Sequence, residues 1–439
     1  MKKLVLMIIP ALICGLTFKS CDSKQENIVD CENCGIWRAY PMASIDDGKV
    51  QLSWMKPIQL WTNEKVVIEP DKFDIFISEN QMSNFRKLIE SDRNDLYHEE
   101  NYPYKYGYYT YTVDKLQNSE PYFFYVVSKK NGFKPLTSDT IMAVPNKRND
   151  FEILMSDSKS TFCDVTVARQ KNKLAYVDKF YTWDGGENCC MAVALFISNM
   201  DGSGKELITL DSYKPSWSPA NDKIAFHLDR IHKGGWIPAQ ITLYDFENQS
   251  ITQLTDGTEY NYAPNFSENG ELLIFQSTKN TPDNDKEDVQ LQPSNIWGIN
   301  LKTFESFQIT DIVKASLRTA RRPCFIDNDR FLFQGLDSRK YQIYESSISK
   351  QLIDKVFDSK WNEYNPTISP DKKKIAFISD RSGTHQIWIC HIESKKYSQI
   401  TPYSVNESVE PTWDKVEWLD NSTIVFSINE YQLVKQKIE

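Results

Sequence analysis

Three consecutive apolar residues, the last of them aromatic, recur six times in the C-terminal two thirds of the chain. They end the segments 173–176, 223–226, 272–275, 330–333, 374–377 and 423–426. Successive final aromatics lie 50, 49, 58, 44 and 49 residues apart. A short apolar run between polar residues is typical of a strand that is buried on both faces. The pattern therefore predicts one buried strand in each of six repeats.

The copy at residues 365–401 shows what one repeat contains. Besides the buried strand at 374–379, the alternation of apolar and polar residues predicts strands at 366–369, 386–392 and 397–401. The Ser369-Pro370-Asp371 segment predicts a tight turn, because Pro presets φ and Asp caps the backbone. Several short strands in a repeat of about 40–50 residues indicate a β-propeller blade. We expect a six-bladed β-propeller over residues 151–439.

This copy closely resembles a blade of the TolB-like, WD-like propeller family. Segments 215–219, 264–267 and 308–310 repeat parts of it, so that the resemblance covers residues 160–439. Exported members of the family commonly serve as interaction platforms, and the resemblance implies such a role here. The dipeptide Asp380-Arg381, matched by Asp229-Arg230, is expected to hold adjacent blades together rather than to touch a ligand.

Blade six has predicted strands near 415–419, 423–427 and 431–438, and its outer strand is missing. An open edge would expose unpaired backbone groups. The strand-like segment 151–155 precedes blade one and has no other assignment. We expect it to complete blade six and close the ring.

Residues 38–146 form a separate predicted unit. Its strand-like segments are 50–54, 72–78, 109–113 and 121–127. The unit resembles a fibronectin type III-like β-sandwich, with Trp54 as the strand-B Trp, Leu116 as the core Leu and Tyr122 or Tyr125 as the strand-F Tyr. The Tyr-rich stretch 95–109 is expected to be an inserted loop packed on its own domain; the alternative is a surface that binds sugar or protein. A short junction at 146–150 predicts that this unit is held close to the propeller rim.

The N-terminus has the pattern of an export signal. Lys2 and Lys3 precede an apolar run at 4–16 that is too short for a comfortable membrane span. Ser20-Cys21 resembles the cleavage point of a bacterial lipoprotein, which implies a signal peptide at 1–20, lipidation of Cys21 and a tether at 21–37. The alternative is an ordinary secretory signal cut nearby. We expect an exported, membrane-anchored lipoprotein of a bacterial envelope.

The remaining cysteines suggest disulfides more than metal binding. Cys31 and Cys34 lack a second pair at zinc-site spacing, and an exported location favours a local disulfide. A bond between the neighbours Cys189 and Cys190 would be strained. Pairing of one of them with Cys163, in the same blade, is one option.

Composition and charge exclude some functions. The chain has 439 residues, of which 25% are charged, and this is ordinary for a globular protein. Its formal charge of −9 makes a broad nucleic-acid-binding face unexpected. The basic run 318–322 is interpreted as a solvated surface segment.

Candidate catalytic chemistry is sparse. The five histidines, at 98, 227, 232, 385 and 391, show no convergence across blades that would hold a metal. The sequence contains no Gly-x-Ser-x-Gly elbow and no Gly-rich phosphate loop. We therefore expect no cofactor and no metal.

The hairpins between second and third strands are the candidate binding face. They are predicted to be long in blades one to three, at 178–192, 229–239 and 277–294, and short in blades four and five. Long loops on a rigid scaffold often carry function. Acidic residues at 184–187 and 283–288 would add a negative rim. The aromatic candidates for ligand contact are Tyr181, Trp183, Trp236, Tyr260, Tyr262, Trp361 and Tyr364.

The sequence thus favours a non-catalytic, lipid-anchored envelope protein whose propeller binds a protein, peptide or glycan. The alternative is a glycan-active or glycan-binding accessory protein, including a divergent metal-dependent propeller like oligogalacturonate lyase. Capture of a partner favours the first hypothesis, whereas bound manganese with formation of an unsaturated uronate favours the second.

Overall fold

A computed structural model describes residues 39–55, 69–99, 107–146, 151–157, 159–183, 189–232, 235–282, 292–337, 339–401, 415–428 and 431–438. At 99, 107, 181–183, 189–191, 230–232 and 235–237 it describes the backbone alone. The described residues form 33 strands and one short helix. In this part of the chain no helix is long and apolar enough to cross a membrane.

The N-terminal unit consists of two sheets around one core. Its elements are β1 (Met42–Asp46), β2 (Lys49–Met55), β3 (Lys72–Glu79), β4 (Arg86–Asp92), α1 (Arg93–Leu96), β5 (Tyr97–Glu99), β6 (Gly107–Val113), β7 (Tyr122–Lys129), β8 (Leu136–Thr137) and β9 (Ile141–Ala143). One sheet has the order β1-β2-β6-β5; the other has the order β4-β3-β7-β8, with β9 also paired to β7. Trp54 and Tyr109 of the first sheet pack on Phe73 of the second, with ring centroids 5.2 Å and 4.9 Å from it. Tyr109, in the Tyr-rich stretch, is therefore a core residue.

The C-terminal part forms six four-stranded sheets, which are the blades of a propeller. Blade one contains β11 (Ser160–Ala168), β12 (Lys173–Trp183), β13 (Cys189–Asn199) and β14 (Glu206–Leu210). Blade two contains β15 (Ser212–Trp217), β16 (Lys223–His232), β17 (Gly235–Asp245) and β18 (Ser250–Gln253). Blade three contains β19 (Asn261–Phe266), β20 (Leu272–Ser277), β21 (Asn295–Asn300) and β22 (Ser306–Gln308).

The remaining blades continue the same order. Blade four contains β23 (Thr319–Phe325), β24 (Arg330–Leu336), β25 (Tyr341–Ser347) and β26 (Ile353–Lys355). Blade five contains β27 (Glu363–Ile368), β28 (Lys374–Ser379), β29 (Gln386–His391) and β30 (Tyr397–Gln399). Blade six contains β31 (Glu417–Asp420), β32 (Thr423–Ile428), β33 (Gln432–Lys437) and the earlier strand β10 (Glu152–Ser156). The innermost strands of successive blades contact each other, and β31 contacts β11, so that the ring is closed.

The predicted closure by the segment before blade one is confirmed. β10 pairs antiparallel with β33, with Glu152 opposite Lys435 and Ile153 opposite Val434. Lys435 Nζ also lies 2.9 Å from Glu152 Oε1. The pairing satisfies the edge of β33 that would otherwise be open.

The repeated apolar phrase forms the core between blades. Its final aromatics are all at most 2% exposed: Tyr176, Phe226, Phe275, Phe333, Phe377 and Phe426. Phe226 of blade two, for example, packs in one cluster with Leu195 of blade one. The prediction of one buried strand per repeat is confirmed.

Two details of the predicted repeat were wrong. In blade five the inner strand begins at Glu363, three residues before the predicted start, because a β-bulge lies next to Pro366 and the strand continues across it. In blades one and two the predicted long loops are largely strand, since Trp183 pairs with Cys189 and His232 with Gly235. These hairpins are therefore long β-ribbons.

Strand register also excludes the Cys163–Cys190 disulfide. Cys163 lies opposite Val177 on β12, whereas Cys190 lies opposite Thr182. Five residues of strand separate the two positions by about 17 Å, far beyond disulfide reach. A Cys163–Cys189 bond fails for the same reason. Cys21, Cys31 and Cys34 lie outside the described residues.

The N-terminal unit docks on the hairpin between β28 and β29. Ala43 N donates to Ser382 O at 2.7 Å, and Met142 N donates to Arg381 O at 2.6 Å. The Trp361 Nε1 atom donates to Thr140 O at 3.4 Å. Apolar residues of both parts, including Met142, form one buried cluster. The unit is therefore held against the propeller, as the short junction predicts.

Candidate functional site

A central cavity of about 360 Å³ is lined by residues from all six blades. Its walls run from the middle of the inner strands to the turns that follow them, such as those at Pro219 and Pro370. Because the strands of a blade run up and down, these turns lie at the opposite end from the hairpins between second and third strands. The cavity and the predicted hairpin face are thus at different ends of the ring.

The same backbone distortion shapes five inner strands. Each has a β-bulge, and each places one residue that is not glycine at positive φ. These residues, with φ between 50° and 53°, are Asp164, Lys214, Ala263, Arg322 and Asn365. A bulge bends the strand and re-aims a side chain. We call these five residues the waist of the central cavity.

The cavity has an excess of positive charge. Its lining contains five basic side chains: Arg169, Lys214, Arg322, Lys372 and Lys415. It contains two acidic ones, Glu268 and Glu417. Asp164, which contacts Lys214 at the waist, brings the acids to three. The cavity is therefore cationic in a protein whose formal net charge is −9.

Lys214 is a largely buried cation of this set. Its side chain is 11% exposed and forms an ion pair with the fully buried Asp164. Burial, with the Arg322 charge second, lowers the pKa of Lys214 to about 8 and outweighs the opposing effect of Asp164. Lys214 thus remains largely cationic at neutral pH.

The cations at the turn end of the cavity have acidic partners. Glu417 lies 3.4 Å from Arg169 Nη2 and 2.9 Å from Lys415 Nζ, which ties blade one to blade six. Lys372 Nζ of blade five lies 3.0 Å from Glu268 Oε2 of blade three. Since blade four lies between those two blades, this pair crosses the edge of the opening.

A buried aromatic group lies on the other side of the waist. The His227 ring is stacked on Tyr213 at 5.4 Å and meets Tyr262 edge-on at 5.0 Å. Its Nδ1 atom has no hydrogen-bond partner among the described residues. Burial, followed by the charges of Lys214 and Arg322, lowers the pKa of His227 well below its usual value. His227 is therefore neutral near pH 7.

The predicted aromatic residues whose side chains are described lie in two different parts of the ring, in or next to blades three and five. Tyr260 stacks on Tyr262 at 6.0 Å beside His227, in blade three. Tyr364 meets His385 edge-on at 5.4 Å in blade five. The backbone, but not the side chain, is described for Tyr181, Trp183 and Trp236.

Trp361 has an intramolecular role. Its ring stacks on Phe123 of the N-terminal unit at 6.4 Å, and its Nε1 atom donates to Thr140 O. The Arg381 guanidinium lies 5.6 Å from the same ring. Trp361 therefore belongs to the contact between the two parts of the chain.

The interpretation of 318–322 as a solvated run is wrong at its end. Arg322 lines the cavity, and the Arg321 Nη2 atom donates to Gln292 O at 2.9 Å. One sequence pattern could have indicated that Arg322 lies at the cavity: an X-Pro pair recurs at equivalent positions of four repeats. The waist residues Lys214, Ala263, Arg322 and Asn365 each precede a proline.

Within the described ranges, no group of three His, Cys, Asp or Glu side chains is placed to hold a metal ion.

No protein-family model and no curated protein sequence matches the chain. Among solved structures it is similar to TolB from Acinetobacter baumannii, with 17% identity and a TM-score of 0.41 over 74% of this chain and 77% of that chain. It is also similar to the β-propeller domain of the Trilobed protease from Pyrococcus furiosus, with 12% identity and a TM-score of 0.41 over 64% and 97% of the chains. Oligogalacturonate lyase in complex with manganese matches at 13% identity, with a TM-score of 0.41 and coverage of 66% and 81%. The chain is an all-β protein whose fold neighbours include TolB-like β-propellers.

Proposed function

We propose that this protein is a non-catalytic, lipid-anchored protein of a bacterial cell envelope whose propeller binds a protein, peptide or glycan. The observation that carries the proposal is the cationic cavity at the centre of the ring. It is enclosed by the inner strands of all six blades and has a volume typical of a ligand pocket.

The lining of the cavity suits binding of a small part of a larger partner. Pro215, Trp217 and Phe266 contribute apolar surface beside the charged residues. Binding sites typically combine apolar walls with a few polar groups that orient the ligand. A volume of about 360 Å³ accommodates a chain end or a single sugar unit, so we expect the partner to insert such a group.

The N-terminal residues support the anchoring part of the proposal. Cys21 follows a signal-like apolar run, and the residues after it are mostly polar, as expected of a tether. We propose that the two-sheet unit is a fibronectin type III-like spacer. Trp54 is fully buried, Leu116 packs on the core, and Gln117 N donates to the Tyr122 hydroxyl at 2.9 Å. A Tyr at the start of a strand, bonded to backbone a few residues upstream, is typical of such sandwiches.

A glycan-binding accessory role is the second candidate function. The excess of cations in the cavity favours it for one class of glycan, because acidic sugars carry a carboxylate. Arg and Lys are the side chains that bind carboxylates in proteins.

Affinity capture from the native envelope tests the proposal. Ala263→Trp would fill the cavity at the waist, and we expect it to abolish capture in a protein that still unfolds cooperatively. Ile251→Trp, on an outer strand where the residue is 47% exposed, is the matched control and should leave capture unchanged.

A second variant tests the other end of the ring. If a folded Ala263→Trp protein still captures the partner while Trp183→Ala/Trp236→Ala does not, the partner binds the hairpin face and the cavity proposal is wrong. Failure of the wild-type protein to capture any envelope component would contradict the proposed binding function as a whole.

A further inference from the structure

One position of each inner strand brings a hydrogen-bonding side chain to the same level of the central cavity. In every blade the residue at this position pairs with the third residue of the recurring apolar segment. Because the pairing is the same in all six blades, the six side chains encircle the cavity at one level, and all of them line it. We call these residues the polar ring: Thr166, Ser216, Asn265, Cys324, Thr367 and Glu417.

Neighbouring members of the polar ring lie within hydrogen-bond distance across two blade boundaries. Thr166 Oγ1 donates to Glu417 Oε2 at 3.4 Å, which joins blade one to blade six. Asn265 Nδ2 donates to Ser216 Oγ at 3.5 Å, which joins blade three to blade two. These contacts support the ring arrangement that the strand register indicates.

The polar ring offers both donors and acceptors, and its one charge is offset by nearby cations. It contains three hydroxyls, one amide, one thiol and one carboxylate. The carboxylate of Glu417 lies 2.9 Å from Lys415 Nζ and 3.4 Å from Arg169 Nη2. Hydroxyl and amide groups can both donate and accept hydrogen bonds. A ligand that matches the ring therefore needs groups that do both.

One member of the ring has hydrogen-bonding capacity left over. Thr367 is 5% exposed, and its Oγ1 atom has no hydrogen-bond partner in the part of the chain that the structure describes. A buried polar group without a partner is unfavourable and is rare in folded proteins. Because Thr367 lines the cavity, a hydroxyl group of a bound ligand would satisfy it.

The wall next to the polar ring is apolar. In blades two to five a proline precedes the ring residue and lines the cavity: Pro215, Pro264, Pro323 and Pro366. Proline has no backbone N–H, so it offers a ligand only C–H surface and a carbonyl oxygen. In blades two to four an aromatic residue follows the ring residue and also lines the cavity: Trp217, Phe266 and Phe325. Apolar residues therefore border the ring in both directions along the strand.

We propose that the polar ring is a binding subsite for one sugar unit, which it recognises through the hydroxyl groups of the sugar. Each sugar hydroxyl can donate and accept, as the ring requires, and a cyclic sugar carries its hydroxyls around one rim. An extended peptide instead presents its N–H and C=O groups along its length, at about 3.3 Å per residue, so that few of them meet a single ring. The C–H faces of the sugar would pack on the apolar wall. The inference deepens the proposed function and rests on it, because it selects a glycan among the proposed partners.

Titration calorimetry of the mature full-length protein tests the subsite. The probes are glucose, galactose, mannose, N-acetylglucosamine, galacturonic acid and a tetra-alanine peptide that is blocked at both ends. We expect at least one neutral sugar to bind, and the blocked peptide not to bind. Tighter binding of the peptide than of any sugar would overturn the subsite. Binding of galacturonic acid without binding of galactose would locate recognition at the cations and would also contradict the polar ring.

The monodeoxy derivatives of the sugar that binds measure the contribution of each hydroxyl. We expect loss of at least one hydroxyl to weaken binding by about threefold to tenfold, which is the usual effect of one neutral hydrogen bond. If every derivative binds as tightly as the parent sugar, the ring does not recognise its hydroxyls and the proposal is wrong.

Substitution of one ring hydroxyl locates the binding. Thr367→Val keeps the shape of the side chain and should weaken sugar binding by about threefold to tenfold. It should not lower the melting temperature, since no described residue bonds this hydroxyl. Thr367→Ser retains the hydroxyl and should bind like the wild type, as should the matched control Thr252→Val on the exposed outer strand β18. Equal affinity of Thr367→Val and the wild type would contradict the proposed site.

The sugar titration and the capture experiment can fail separately. If no sugar binds, the subsite is overturned, whereas capture of an envelope protein would still support the proposed binding function. If a sugar binds as expected but the protein captures no envelope component, the subsite is retained and the proposed partner is contradicted.

Discussion

At the scale of single residues, Arg381 combines a buried ion pair within blade five with a backbone hydrogen bond to the N-terminal unit. It is 1% exposed, and its Nη2 atom donates to Glu363 Oε1 at 2.6 Å. Its guanidinium lies 4.4 Å from the Tyr397 ring and 5.2 Å from the Trp388 ring, while its carbonyl accepts from Met142 N. Arg381 therefore has a structural role, but these contacts lie within blade five and with the N-terminal unit, and not between adjacent blades as the dipeptide predicted.

Replacement of Arg381 should be strongly destabilising. Arg381→Met leaves the carboxylate of Glu363 buried without its cation, and we expect a loss of about 3–5 kcal/mol in the free energy of unfolding by urea. Arg381→Met/Glu363→Gln removes both charges and should recover at least half of that loss. If the double variant is no more stable than the single one, the aromatic contacts of Arg381, and not its ion pair, supply the stability.

Asp229 should make stability depend on pH. Burial, with the Asp211 charge second, raises the pKa of Asp229 to about 6. Between its unfolded pKa and about 6 the folded state binds more protons than the unfolded state, so that stability falls as the pH rises through this window. Asp229→Asn should match the wild type at pH 4 and be more stable by about 1–3 kcal/mol above pH 6.5.

Urea unfolding at pH 4 and pH 7.5 measures this difference. Asp256→Asn, at an exposed position outside the strands, is the control and should leave the pH profile unchanged. A constant difference between Asp229→Asn and wild type at both pH values would show that Asp229 does not titrate in the window.

At the scale of elements, the sequence predicts the buried strands but not the shape of the inner ones. The apolar segment at 374–377 is buried whichever blade it forms, so the recurrence of this segment along the chain is enough to predict its burial. The backbone conformation of the waist could not be predicted in this way, because Lys214, Ala263 and Arg322 are residue types that do not favour positive φ. That conformation accompanies the β-bulge of each inner strand. Lys214 and Arg322 are far apart in the sequence. They line the same cavity only because of the bulges and the closure of the ring, so the sequence alone does not predict the cationic cavity.

Neighbouring residues of the closing strand β10 differ in burial, and this difference provides a test of ring closure. Leu154 is 8% exposed and packs in one cluster with Val425 and Leu433, whereas its neighbour Ile153 is 51% exposed. Leu154→Asp should lower the free energy of unfolding by about 2–4 kcal/mol and increase hydrogen exchange in β33. Ile153→Asp puts the same charge on the exposed face of β10 and should cost less than about 1 kcal/mol. Equal effects of the two substitutions would argue that β10 does not close the ring in solution.

At the scale of the whole molecule, Gly383 lies where the backbones of the propeller and the N-terminal unit approach each other closely. Its φ is +91°, and a Cβ atom there would collide with the Pro41 carbonyl oxygen and lie 2.8 Å from Met42 Cα. The neighbouring Ser382 carbonyl accepts from Ala43 N, so the two backbones are held at close approach. A side chain at 383 would have to displace backbone, which cannot yield as a flexible side chain can.

Gly383→Ala should therefore loosen the contact between the two parts while both remain folded. We expect small-angle scattering to show a larger radius of gyration, and limited proteolysis to cleave faster at the junction between 146 and 151. Gly132→Ala is the matched control, because Gly132 also has positive φ, at +80°, but a Cβ atom there would meet nothing within 4 Å. It carries the same backbone strain without the collision. If both variants keep the wild-type radius of gyration and cleavage rate, the hydrogen bonds from Ala43 and Met142 hold the unit without help from the close approach at Gly383.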